Sequence, residues 1–101
     1  MTLGEVLDGA AAGLNGVEAG IAPDGSVTWA HRGRPFAALA ADGAAEFALD
    51  PAVAAAAGRT PDVGPSGRGP AWVRFGPPVL DEHGADRARA WLASAYRRTL
   101  G

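Results

Sequence analysis

Cysteine and lysine are both absent from this chain of 101 residues. Without cysteine there is no disulfide, no thiolate metal ligand and no thiol nucleophile. Without lysine, all nine cationic side chains are arginines, and alanine and glycine are abundant. That is the composition expected of a GC-rich bacterial genome. Histidine is scarce: His31 and His83 are far apart, and neither has a second ligand at metal-binding spacing. No metal or cofactor is expected. No apolar run approaches the ~20 residues of a membrane span. The opening Met1-Thr2-Leu3-Gly4-Glu5 lacks the basic start of a secretory leader. The expectation is a soluble, cytoplasmic protein without a membrane partner. Excess positive charge is missing too. A net charge of −2 argues against a dedicated binder of duplex DNA, because phosphate neutralisation needs clustered cations.

What is present is one domain's worth of patterned chain, residues 1–101. Thr2 and Glu5 match a capping box, and Leu3, Val6, Leu7, Ala10 and Leu14 follow helical spacing. A first helix is predicted over about 3–14, stopped at Asn15-Gly16. Alternation then marks strands at Val17–Ile21, Val27–Arg32, Phe36–Ala41 and Ala45–Leu49. Pro23-Asp24-Gly25-Ser26, Arg32-Gly33-Arg34-Pro35 and Asp42-Gly43 turn the chain between them. Asp50 and Pro51 open a short second helix that Gly58 closes. Residues 59–70 hold three prolines and three glycines and read as a stiff loop. Trp72–Phe75 is a fifth strand. A last helix runs from about Asp81 to Leu100, with Ala88, Trp91, Leu92, Ala95 and Thr99 on its buried face and Tyr96 at its border. The order α-β-β-β-β-α-β-α predicts an α+β two-layer sandwich. Its mostly antiparallel five-stranded sheet would carry helices on one face.

The pieces Pro35-Phe36-Ala37-Ala38-Leu39, the helix from Asp50 to Gly58, Pro70-Ala71-Trp72-Val73-Arg74-Phe75, and Trp91 to Arg97 resemble the YjbR/MmcQ-like family of small bacterial domains. The last two pieces are also similar to small luciferase-like bacterial domains. The resemblance covers most of the chain in element order and about a dozen positions in detail. It implies the fold. Many members are described as DNA-binding, which implies weak nucleic-acid binding here through Arg87, Arg97 and Arg98. No binding residue of the family transfers. Relatives commonly place a lysine before the Phe-Ala strand, where this chain has Arg34-Pro35.

Catalytic sets are missing. Gly64-Pro65-Ser66-Gly67-Arg68 nearly matches a nucleophile elbow, but its last glycine is replaced by Arg68, and helix and strand flank it in the wrong order. Gly67-Arg68-Gly69 precedes a strand, whereas a dinucleotide fingerprint opens a helix. Enzyme action would need a pocket joining His31 or Ser66 to a second polar group. The favoured reading is a non-enzymatic binding or interaction module. If Val73 and Phe75 face the helices, Trp72 and Arg74 face the other side of the sheet. That helix-free face and the 59–74 loop form the candidate surface, with Trp72, Arg74, Arg59, Arg68, Trp29 and His31 as candidate binding residues. A homodimer through that face is one expected partner arrangement.

Overall fold

The computed structural model describes residues 1–100. Each turn has a local cause. Gly25 and Gly43 take φ of +88° and +93°, closing two hairpins built alike. In each, the aspartate before the glycine accepts the backbone N–H two residues on: Asp24 from Ser26 at 2.9 Å, Asp42 from Ala44 at 3.1 Å. Arg32 and Gly33 both have positive φ, which turns a two-residue hairpin in the hand that matches strand twist.

These turns fold the middle of the chain into an antiparallel meander of β1 (Val17–Ile21), β2 (Val27–His31), β3 (Arg34–Leu39) and β4 (Ala45–Ala48). β6 (Trp72–Phe75) then pairs with β4, and β5 (Val63–Pro65) lies outside β6. The sheet has six strands in the order β1-β2-β3-β4-β6-β5, so the predicted five-stranded sheet gains one edge strand. β5 lies in the stretch read as loop. Asp62 and Ser66 exchange backbone bonds with Gly76 and Trp72, so even-numbered residues face β6 and odd ones face out. Pro65 therefore sits where no N–H is needed, which is how an edge strand tolerates proline.

The helices are α1 (Leu3–Ala11), α2 (Pro51–Ala57) and α3 (Glu82–Arg98). α1 starts with the predicted capping box, Thr2 N–H donating to Glu5 and Glu5 N–H to Thr2. Asp81 caps α3 by accepting from Gly84 N–H at 2.7 Å. Asp50 precedes α2 but makes no side-chain cap; its carboxylate meets Arg98 of α3 at 3.3 Å instead.

α1 and α3 pack together across one face of the sheet. The core is the layer between. Trp29, Ala37, Phe47 and Val73 form one row across four strands, and α3 lowers Ala85, Ala88, Leu92 and Ala95 onto that face. Small residues on α3 let the helix approach closely. Trp91 stands at the rim, edge-on to Phe75 with ring centroids 5.3 Å apart. The Tyr96 hydroxyl donates to the Asn15 carbonyl at 2.7 Å, tying the exit of α1 to the end of α3. Residue Gly16 there has φ +73°, and a side chain would meet the His31 ring at 3.2 Å. No helix among the described residues is long and apolar enough to cross a membrane.

Candidate functional site

The sheet has two faces, and strand alternation assigns four of the six candidate residues between them; Arg59 and Arg68 lie outside the strands. Trp29 and His31 belong to the helix face. Trp29 is 2% exposed within the core. His31 is 6% exposed, against the ring of Tyr96. The Thr99 hydroxyl donates to the Tyr96 carbonyl at 2.6 Å, so it accepts from His31 Nδ1 at 3.0 Å. That fixes the proton on Nδ1. Both side chains close the core and have no surface to offer a partner. Their extended positions on β2 look equivalent to surface positions in the sequence; only the covering helices distinguish them, α1 beside Trp29 and the end of α3 beside His31.

Trp72 and Arg74 do lie on the reverse face, opposite Ala48 and Glu46 of β4. This face is partly closed. Ala38 and Ala48 are buried on it, and Glu46 is 8% exposed. The segment after β5 folds back over Glu46. Ser66 Oγ donates a short hydrogen bond to Glu46 Oε2, and Arg68 Nε donates to Glu46 Oε1 at 3.1 Å. Arg68 N–H also donates to Ser66 Oγ at 3.2 Å. The Arg68 guanidinium then lies 5.5 Å from the centroid of the Trp72 ring. The near-match to a nucleophile elbow is thus a clasp. Its serine and arginine satisfy a carboxylate that the sheet buries, and no buried side-chain polar atom among the described residues lacks a partner.

Arg74 pairs with Asp42 at the β3–β4 turn, through two hydrogen bonds of which the Nη1–Oδ1 one is 3.3 Å. Hydrogen bonds from Arg74, and then from the Ala44 backbone, hold the Asp42 carboxyl below its ordinary value, and the bond to Asp42 raises that of Arg74. The sign follows directly. A carboxylate with a depressed folded-state pKa stabilises the fold above its unfolded value of about 3.9, and that contribution disappears as pH falls through the folded value. Asp42→Asn is therefore expected to lower stability slightly near neutral pH. The deficit should close on acidification below about pH 4, and should shrink in high salt because the pair is exposed. Urea unfolding of both proteins across pH checks this.

Three of the C-terminal arginines are engaged within the fold, and Arg97 is exposed. Arg98 pairs with Asp50 and Arg89 with Asp86. Arg87 hydrogen-bonds His83 and lies over Trp91. No group of three or more His, Asp or Glu placed to hold a metal occurs among the described residues.

A concavity lies on the helix side, at the β5 end of the sheet. It is an open groove of about 630 Å³ between α2 and the β5–β6 ribbon. Ala54, Ala55 and Gly58 of α2 form one wall, Val63, Pro65 and Val73 form the floor, and Pro70–Trp72 close one end. No charged side chain lines it, and neither Ser66 nor His31 reaches it. It exists because α2 is only seven residues long and carries alanines, so it covers the end of the sheet incompletely. Arg59 follows the lining residue Gly58, is exposed, and makes no ion pair among the described residues. Of the candidates, Trp72 and Arg68 are brought together on the reverse face, Arg59 lies apart at the end of α2, Arg74 is held by Asp42, and Trp29 and His31 are core. The groove itself was not foreseen from the sequence. Its one signal is the run of four alanines from Ala54 to Ala57, too small to fill the space over a sheet edge.

No protein-family model, curated protein or solved structure matches the chain.

Proposed function

We propose that this protein is a small non-enzymatic binding module, and that its site is the apolar groove between α2 and the 63–73 hairpin. The observation carrying this reading is the groove's volume of about 630 Å³ together with its uncharged lining. Sites for small organic ligands fall in the range of about 300–1,000 Å³ and are mostly apolar with few polar anchors. Arg59 at the end of α2 is the one nearby cation without a carboxylate, so the ligand class that fits is an apolar body with an anionic end. Residues 70–72 close one end of the groove, while the Trp72 ring itself lies on the reverse face beside Arg68. The family resemblance in the 70–75 strand is compatible with this reading but supplies no ligand.

Anilinonaphthalene sulfonate, an apolar ring system bearing an anion, is a suitable probe. Its fluorescence should rise to saturation at one site per chain. Ala55→Trp adds bulk to the groove from an exposed helix position and should weaken binding at least about tenfold. Arg59→Ala should weaken it by a few-fold. Circular dichroism of both variants should match the parent. No saturable binding, or binding unaltered by Ala55→Trp, would refute the assignment.

A further inference from the structure

We propose that the chain pairs with a second copy of itself through the free edge of β1, joining two six-stranded sheets across a two-fold axis. This concerns the opposite end of the sheet from the groove and stands independently of it.

The two edges of the sheet differ in chemistry. At the β5 edge the outward positions are Val63 and Pro65. Pro65 has no N–H, and the Val63 N–H is taken by the Thr60 carbonyl at 3.3 Å. That edge offers no donor, which is one way natural sheets prevent further pairing. The β1 edge has no such protection. Ala22 N–H donates to the Ser26 carbonyl at 2.8 Å, which sets the even-numbered residues toward β2. Val17, Ala19 and Ile21 therefore turn both their N–H and C=O groups outward. No proline, lysine or arginine lies in the strand. Ile21 leaves its side chain 79% exposed, among the most exposed large apolar residues of the protein.

The strand is complementary to itself. Centre an antiparallel pair on Ala19 and the three outward residues fall into hydrogen-bonded pairs: Ala19 with Ala19, Ile21 with Val17, Val17 with Ile21. On the helix side these place apolar groups against apolar groups. On the reverse side Glu18 falls opposite Gly20, the one residue with no side chain, so no two carboxylates stand directly across from one another. Such a pair is isologous, as a two-fold interface requires. Its five residues per strand bury less than the ~800 Å² per partner of a standard interface, so the dimer should be weak and concentration-dependent.

Sedimentation velocity from about ten micromolar to about one millimolar should show the chain passing from monomer to dimer, as expected for a dissociation constant in the micromolar range. Ile21→Lys changes an exposed side chain, and Ala19→Pro removes one outward N–H; both should keep the parent's circular dichroism and remain monomeric. The register can be read covalently, because the chain has no cysteine of its own. Hydrogen-bonded partners sit about 5.5 Å apart at Cα, inside the disulfide range, whereas two copies of residue 18 would lie about 8 Å apart. Ala19→Cys should therefore form a disulfide dimer on oxidation and Glu18→Cys should not. A chain monomeric at the highest concentration would overturn the proposal and leave the edge to an extended segment of another protein. A dimer indifferent to both Ile21→Lys and Ala19→Pro, or equal crosslinking at positions 18 and 19, would also overturn it.

Discussion

Phe47→Ala is expected to destabilise the fold by about 3–5 kcal/mol, the range for removing a buried phenylalanine. Phe47 has no exposed surface. It sits mid-sheet on β4, between Ala37 of β3 and Val73 of β6, with the Trp91 ring 6.0 Å away across the layer. Its neighbours limit how far the hole can close. Ala37, Ala45, Ala85 and Ala88 are already small and fully buried, so they have no side chain to move into the space. A domain of this size has about 5–15 kcal/mol in total. The loss would lower the melting temperature by at least about 12 °C, since each kcal/mol is worth about 4–8 °C in a domain of this length. Thermal unfolding followed by circular dichroism gives the shift directly. A change of under about 1 kcal/mol would mean that the layer beneath Trp91 is not the centre of the core.

Glu46→Ala should cost about 2–3 kcal/mol through a different mechanism. The carboxylate is nearly buried and is held by Ser66 and Arg68. Truncating it leaves the serine hydroxyl and the guanidinium without their acceptor. The loss falls below the ~3–5 kcal/mol of a fully buried pair because a third of the Arg68 side chain still reaches water. Glu46→Gln keeps one oxygen for Ser66 and should cost less than Glu46→Ala. The effect should also be local. Amides from Ser66 to Trp72 should exchange faster with solvent, because the clasp is what holds that segment on the sheet. A double-mutant cycle on Glu46 and Arg68 should yield a coupling that survives salt better than the exposed Asp42–Arg74 pair, because burial limits screening. If the coupling vanishes in moderate salt, Glu46 is solvated and the reverse face is more open than described.

Five of the six strands, the hairpin turns and the cap of α1 were legible from residues close in sequence, whereas Asp50, expected to cap α2, makes no side-chain cap. Thr2 and Glu5 cap α1 as their spacing predicted, and Asp81 caps α3. Asp24-Gly25 and Asp42-Gly43 close hairpins because an aspartate can accept from the backbone two residues on while glycine takes positive φ. The predicted α+β architecture follows from those local signals. The 63–65 strand was not legible, because proline content argues for loop unless the residue is known to face outward. Whether Pro65 faces outward depends on β6, which comes seven residues later.

Trp72 and Arg74 were placed on the correct side of the sheet by alternation alone, while the covering of that side depended on contacts far along the chain. Glu46 meets Ser66 and Arg68 across 20 and 22 residues. His31 meets Thr99 across 68. Local periodicity can state which way a side chain points, since backbone geometry sets that within two or four residues. It cannot state what stands opposite, since that depends on which distant segments the closed chain brings together. The composition and the short-range pattern thus dictated the three helices, five of the six strands and the face of each of those strands. The folding together of β4, the 59–74 segment and α2 decided which charges are neutralised, which tryptophan keeps a free side and where an apolar groove is left.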